Sequence, residues 1–401
     1  MENGYMNKLK LTALIAAVLL MCGSLSACGN SDSQAQLSSL GQTDTAVTES
    51  EKETLSIVCT IFPQYDWIRQ ITGETAAHIE LTFLLDNGVD LHSYQPTTDD
   101  IITISNCDMF IYTGGESETW VSDVLKTAVN ENMVVINLLE VLGDDVKVEE
   151  LKEGMEHDHD HEDHDHEQEQ DDHEQDDHEK EDHEDHDHEQ EDIDHDHEEQ
   201  DHIQDDLNQE ESIHQEESIH QDEDYDEHIW LSLKNAGIIC KHIAEKLVEM
   251  DPANSQTYQD NLAAYLTDLD LLDGKYREVT DNAVCKVLLF GDRFPFRYLA
   301  DDYGLDYYAA FTGCSAETEA SFETIVFLAG KTDELKLAYI MVIDHSDQSV
   351  AKTIVQSTKE MNQEIYVLDS LQSVTASDVD SGVTYLSIME KNLEVLKIVL
   401  N

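Results

Sequence analysis

Residues 251–276 read DPANSQTYQDNLAAYLTDLDLLDGKY. Asp251-Pro252 is a cap residue followed by proline at the first helical position, where the missing N–H and fixed φ suit a helix start. Large apolar side chains then recur at Tyr258, Leu262, Tyr265, Leu266, Leu269, Leu272 and Tyr276, the stripe of a helix with one buried face. No glycine or proline interrupts the stripe before Gly274. The spacing predicts one long helix over residues 251–282, and what flanks it decides the fold.

On its N-terminal side, LSIVCTIFPQYDWIRQIT (Leu55–Thr72) opens with β-branched residues and continues at helical spacing through Tyr65, Ile68 and Ile71. IELTFLL from Ile79, CDMFIYTGG from Cys107 and NMVVINLL from Asn132 are further strands, separated by helix-length segments. A helical stripe at Ile229, Leu233, Ile239, Ile243 and Leu247 leads into the long helix. Beyond it, CKVLLFGDRFPFRYLADDYGL, LAYIMVIDH and QEIYVLDSL repeat the strand-turn-helix pattern, and GVTYLSIMEKNLEVLKIVL is a terminal amphipathic helix. Strands alternating with helices predict parallel sheets covered on both faces. The expected fold is α/β: two lobes, residues 55–250 and 283–401, joined by one long rigid helix with a cleft between them. Ligands of such lobes sit at the carboxyl ends of the strands.

The chain carries a formal net charge of −67 over 401 residues. Much of it comes from one tract, since Glu156–His228 holds 38 acidic residues against a single lysine. Such a balance argues against nucleic acid or anionic lipid as a partner and favours cations. Sixteen of the twenty histidines lie between His157 and His228. Neutral imidazole ligates Zn²⁺ well and carboxylates add weaker oxygen ligands. Residues 156–224 are therefore expected to be a disordered, low-complexity insertion that captures metal. Its His-Asp-His repeats run through His157, His159, His161, His164 and His166, and again through His183, His186, His188, His195 and His197. They offer many interchangeable weak sites instead of one rigid site.

Lys8 and Lys10 precede an apolar run from Leu11 to Met21, the layout of a signal peptide. Leu25-Ser26-Ala27-Cys28 resembles a bacterial lipobox, which implies a signal over residues 1–28, a lipid on Cys28 and a flexible tether over 29–54. Cys59, Cys107, Cys240, Cys285 and Cys314 remain, an odd number with no CxxC spacing. Most read as small buried hydrophobes.

His92 follows a strand and a glycine-containing turn, and His228 begins an amphipathic helix beside Trp230. Both stand at loop ends facing the expected cleft. The segment NGVDLHSYQPT resembles the G-x-D-P-H-x-Y-x-P-T signature of zinc- and manganese-specific substrate-binding proteins of bacterial ABC transporters. DEHIWLSLKNA is similar to the same family's D-P-H-x-W-L-x-P-x-N-A segment, and the long helix resembles the one joining the family's lobes. The resemblance runs from Leu55 to the C-terminus and places a His-rich acidic loop between two ligand histidines.

What the resemblance implies is one divalent metal chelated between the lobes, with His92, His228 and Asp369 as ligands. The remaining ligand position falls on Gly291, which has no side chain to offer. Asp292, His345 and Cys314 are the candidates to replace it, and a thiolate there would favour zinc. The function implied is capture of Zn(II) outside the cell and delivery to an ABC permease and its ATPase, by a monomer lipid-anchored to the outer face of the membrane. Alternatives are a manganese-specific protein of the same class and an extracellular zinc-storage or adhesion protein. No HExxH-like motif exists to suggest a metal-dependent hydrolase.

Overall fold

The computed structural model describes residues 54–155, 224–315 and 319–401. Cys28, the tether up to residue 53 and tract residues 156–223, with every tract histidine named above, lie outside the described residues. Four strands, β1 (Leu55–Cys59), β2 (Ile79–Phe83), β3 (Met109–Tyr112) and β4 (Val134–Asn137), form a parallel sheet in the order β2-β1-β3-β4. Four more, β5 (Val287–Arg293), β6 (Asp306–Phe311), β7 (Tyr339–Ile343) and β8 (Glu364–Leu368), repeat that order as β6-β5-β7-β8. The two sheets thus share one topology, with equivalent switch points beside β1 and β5. Every residue of β7, YIMVI, is buried, as expected of a strand covered on both faces.

Helices α1 (Phe62–Thr72), α2 (Thr98–Asn106), α3 (Val121–Lys126), α4 (Leu138–Leu142) and α5 (Leu233–Met250) accompany the first sheet. Helix α6 (Ser255–Asp281) is the long connector; α7 (Arg297–Tyr303), α8 (Phe322–Leu335), α9 (Ser349–Ser357), α10 (Ala376–Asp380) and α11 (Tyr385–Val399) belong to the second half. The 27 residues of α6 span about 40 Å. Near its start Asn261 Nδ2 donates to Ile71 O of α1 at 3.0 Å, and near its end Tyr276 OH donates to Met389 O of α11 at 2.6 Å. The helix starts later than its sequence suggests, because Pro252–Asn254 form a separate 3-10 turn. Asp251 caps nothing with its side chain. Its carboxylate accepts from Tyr258 OH at 2.7 Å and lies 2.6 Å from His78 Nε2, tying the start of the connector to the first sheet.

The lobes are also joined through their core. The buried Asp66 of α1 accepts from Tyr385 N of α11 at 2.9 Å, while Tyr385 OH donates to Trp230 O at 2.7 Å. Trp230 Nε1 in turn donates to Ser370 O at 2.9 Å. Separating the lobes would strip these groups of partners at about 1–3 kcal/mol for each group left unsatisfied.

A third tie is the chain leading into the tract. Lys147 N donates to Tyr298 OH at 3.0 Å, Tyr307 OH donates to Glu150 at 3.0 Å, and Thr324 Oγ1 donates to Gly154 O at 3.0 Å. These three partners all belong to the second half. Gly154 has φ +89° and a Cβ there would overlap the Phe327 ring, so the segment lies flat on α8. The returning chain pairs with it, through an antiparallel bridge between Val148 and Tyr225. Both stems of the tract are therefore anchored at the edge of the cleft.

Candidate metal centre

His92 sits on a 3-10 turn, Leu91–Ser93, past the carboxyl end of β2. Asp90 caps that turn, its Oδ1 accepting from His92 N at 3.0 Å, and its carboxylate is paired with Arg293. Burial opposes ionisation of Asp90, but Arg293 and the neighbouring histidines outweigh it and hold the carboxyl below its usual range. His228 repeats the device. Asp226 Oδ1 accepts from His228 N at 2.9 Å and lies 2.9 Å from His228 Nδ1. An aspartate two residues before each histidine thus closes an Asx-type turn that fixes where the imidazole begins.

The rings meet edge to edge, with His92 Nε2 3.1 Å from His228 Nε2. Asp226 holds the proton of His228 on Nδ1, which leaves the Nε2 lone pair facing His92. His92 Nδ1 is 2.6 Å from Ser117 Oγ, a hydroxyl able to donate or accept and so to serve either tautomer. Two nitrogens on one tetrahedral zinc, each about 2.0–2.1 Å from the metal, lie about 3.3 Å apart. The observed pair is already close to that separation. Burial first, and then His228 beside it, depress His92 to a pKa of about 3, which favours the neutral imidazole, the form able to bind a metal.

Cys314 completes the group. Ligand atoms of His92, His228 and Cys314 all lie within 4.8 Å of one another, the one such group of three among the described residues. The cysteine follows β6 on a turn packed against the His228 ring, where a Cβ on Gly313 would come within 3.2 Å of Nδ1. Its N–H donates to Glu149 Oε1 at 2.8 Å, so the strap into the tract positions this turn. Burial, then the carboxylates of Asp226, Glu149 and Glu227, push the Cys314 thiol well above its usual range, while the Glu227 N–H works the other way. Glu227 is buried beneath the group. Its Oε1 accepts from Ser117 N at 2.9 Å, and its Oε2, without a hydrogen-bond partner, lies 3.6 Å from His92 Nδ1. Gly115, with φ +89°, is required there because a Cβ would fall 2.3 Å from Glu227 Oε1.

The other expected ligands are spread around the group. Asp292 and His345 line the same cavity as His92, a space of about 440 Å³. Asp369 is fixed by its own turn, Oδ1 accepting from Leu371 N at 2.9 Å, and burial together with Asp344 raises it to about 6. None of the three belongs to the converging group. Asp292, His345 and Asp369 do stand at the carboxyl ends of β5, β7 and β8, the edge where ligands of parallel sheets bind. Gly291, read as a vacated ligand position, lines that cavity as well. It lies within β5, and a Cβ on it would meet Ala351 Cα of α9 at 2.5 Å. Its lack of a side chain lets α9 pack closely on the strand.

Sequence reading missed Asp226, Glu227, Ser117 and Glu149. The repeated Asp-x-His at 90–92 and 226–228 was a legible signal for the first of these. Nothing local marks the others, whose roles depend on contacts across the fold.

A family profile described as ZnuA, zinc-uptake complex component A, periplasmic, matches residues 57–399. Zinc-binding lipoprotein AdcA of Streptococcus pneumoniae is 29% identical over 343 residues, covering 86% of this chain and 55% of AdcA. High-affinity zinc uptake system protein ZnuA of Bacillus subtilis is 26% identical over 384 residues, 96% of this chain and 95% of that protein. Among solved structures, the Zn(II)-bound ZnuA-like domain of Streptococcus pneumoniae AdcA superposes with a TM-score of 0.58 at 25% identity, covering 86% of this chain and 99% of that domain. The chain spans about half the length of the AdcA relatives it matches.

Proposed function

The chain belongs to the ZnuA family of zinc-uptake components, and from that membership we propose that it captures Zn(II) outside the cell and hands it to an ABC permease. His92 and His228 hold the ion through Nε2. Asp369, Asp292 and His345 are the second-lobe groups available to bind it as the cleft adjusts. The ATPase drives transport elsewhere, and no reaction is catalysed here. A lipid on Cys28 would tether the protein, as a monomer, to the outer face of the membrane, and the His/acidic tract would concentrate zinc beside the cleft.

The observation that carries this reading is the Nε2–Nε2 separation of 3.1 Å between His92 and His228, each held from behind by a hydrogen-bonding partner. A surface or core histidine has no need of this arrangement, whereas a metal ligand is routinely oriented through its second nitrogen. Paired imidazoles favour zinc over manganese, which prefers oxygen ligands. The Zn(II)-bound state of the AdcA domain supports the same choice.

Competition titration of Zn(II) and Mn(II) against a chelator of known affinity tests the proposal on the full chain. One tight zinc equivalent, absent from His92→Ala and His228→Ala, is expected above the weaker capacity of the tract. Unchanged tight binding in both variants would leave only a storage protein. Tighter manganese than zinc would replace the cargo.

A further inference from the structure

We propose that Cys314 is a third protein ligand of this centre, and that its thiolate selects thiophilic divalent ions, zinc and cadmium, over manganese. The inference rests on the zinc-capture reading and adds a ligand from the second lobe. Geometry singles out this cysteine. Cys59, Cys107 and Cys240 are buried, and only Cys314 shares a converging group with histidines among the described residues.

Two contacts place the cysteine turn beside the histidines, and a third residue of the turn faces the cavity. Gly313 lies against the His228 ring, Cys314 N donates to Glu149 at 2.8 Å, and Ser315 lines the cavity that His92 also faces. The turn issues from β6, so ligation by Cys314 would join the first lobe's histidines to the second lobe. Asp292 and His345, the rival candidates, line the cavity without joining the group.

A tetrahedral zinc with Zn–N of about 2.0–2.1 Å and Zn–S of about 2.3 Å brings its donor atoms to about 3.3–3.6 Å of one another. Ligand atoms already within 4.8 Å reach that spacing through a shift of roughly an ångström. As the S–Zn bond forms, the thiol proton leaves to solvent. Two neutral imidazoles and one thiolate leave a fourth position, which opens toward the cavity. A thiolate binds zinc and cadmium far better than manganese, so this one ligand shifts the choice of cargo.

Cobalt(II) added to the full chain supplies a test that the tract cannot obscure, because residues 156–223 contain no cysteine. Thiolate coordination gives an intense near-ultraviolet sulfur-to-cobalt charge-transfer band, whereas imidazole and carboxylate give only weak visible bands. The expected result is a charge-transfer band that saturates at one equivalent and persists in Cys285→Ser. It should be lost in Cys314→Ser, and zinc should bleach it in the unaltered chain. A chain with no such band, yet with visible bands that His92→Ala removes, would overturn the cysteine ligand and leave the zinc reading standing. A cobalt spectrum identical in the unaltered chain, His92→Ala and Cys314→Ser would overturn both.

Discussion

The two sides of the cleft are built differently. On the first-lobe side, the half-buried His92 and the buried His228 point at one another and are each locked by a hydrogen bond to Nδ1. Opposite them, Asp292 and His345 line a cavity and Asp369 is held by its own turn, and none of the three joins the converging group. Equivalent sheets with the same strand order carry both sides, so topology does not explain the contrast. The difference lies in the Asp-x-His turns and the buried Glu227 beneath them, which only the first lobe has. Preorganisation of this kind would lower the cost of binding a metal ion, because the two histidines would give up little freedom when it arrived. One half of the cleft is a formed claw, and the other half supplies choices.

That contrast is broken most directly at the claw. Truncating His92→Ala or His228→Ala should weaken zinc binding by at least about 100-fold, the upper end of what loss of a mere orienting partner costs. Chelator competition on the full chain measures it. An equal loss from His345→Ala or Asp292→Asn would erase the distinction between the two sides.

The next test leaves both histidines in place. Asp226→Asn keeps the turn and its acceptor oxygen but removes the charge behind His228 Nδ1, 2.9 Å away. A loss of about 10-fold to 100-fold in zinc affinity is expected, with the thermal unfolding of the metal-free protein little changed. If stability falls while affinity holds, Asp226 serves the fold and the claw is less finely oriented than described.

Gly291→Ala probes the opposite wall. The added Cβ would meet the Ala351 backbone at 2.5 Å, and the overpacking should cost about 1–3 kcal/mol, read by denaturant unfolding. Zinc affinity should change far less than in the histidine variants. Recovery of affinity by Gly291→His, with no loss of stability, would show instead that the position is an emptied ligand site.

Much of this could be read from the chain itself. The parallel sheets follow from apolar runs such as YIMVI alternating with helical stripes, and the long connector from its uninterrupted apolar face. His92 and His228 were legible because each sits in an extended motif. At Gly291 the sequence shows that a side chain is missing but not that the α9 backbone packs where one would stand. Cys314 stayed one candidate among three, since its nearness to histidines 222 and 86 residues away is created by two lobes meeting. Asp251 looked like a helix cap and became a tie to His78 and Tyr258, because three polar groups converge there only in the folded state.

The smallest effect concerns what the claw costs the fold. Glu118 lies under the same glycine turn, 2% exposed, its Oε2 accepting from Gly114 N at 2.8 Å and its Oε1 without a partner. Burial raises its pKa from 4.5 to about 7, with the charge of Glu227 adding to the shift. The folded protein therefore keeps a proton that the unfolded chain releases near 4.5. Its contribution to stability is fully present below pH 4.5 and is lost as pH rises through about 7. Glu118→Gln, which is permanently uncharged, escapes that loss. Its stability relative to the unaltered protein should rise by about 1 kcal/mol between pH 6 and pH 8, measured by urea unfolding without metal. A difference that stays flat across that range would mean that Glu118 is ionised in the fold, and that the first-lobe claw is assembled without a buried proton beneath it.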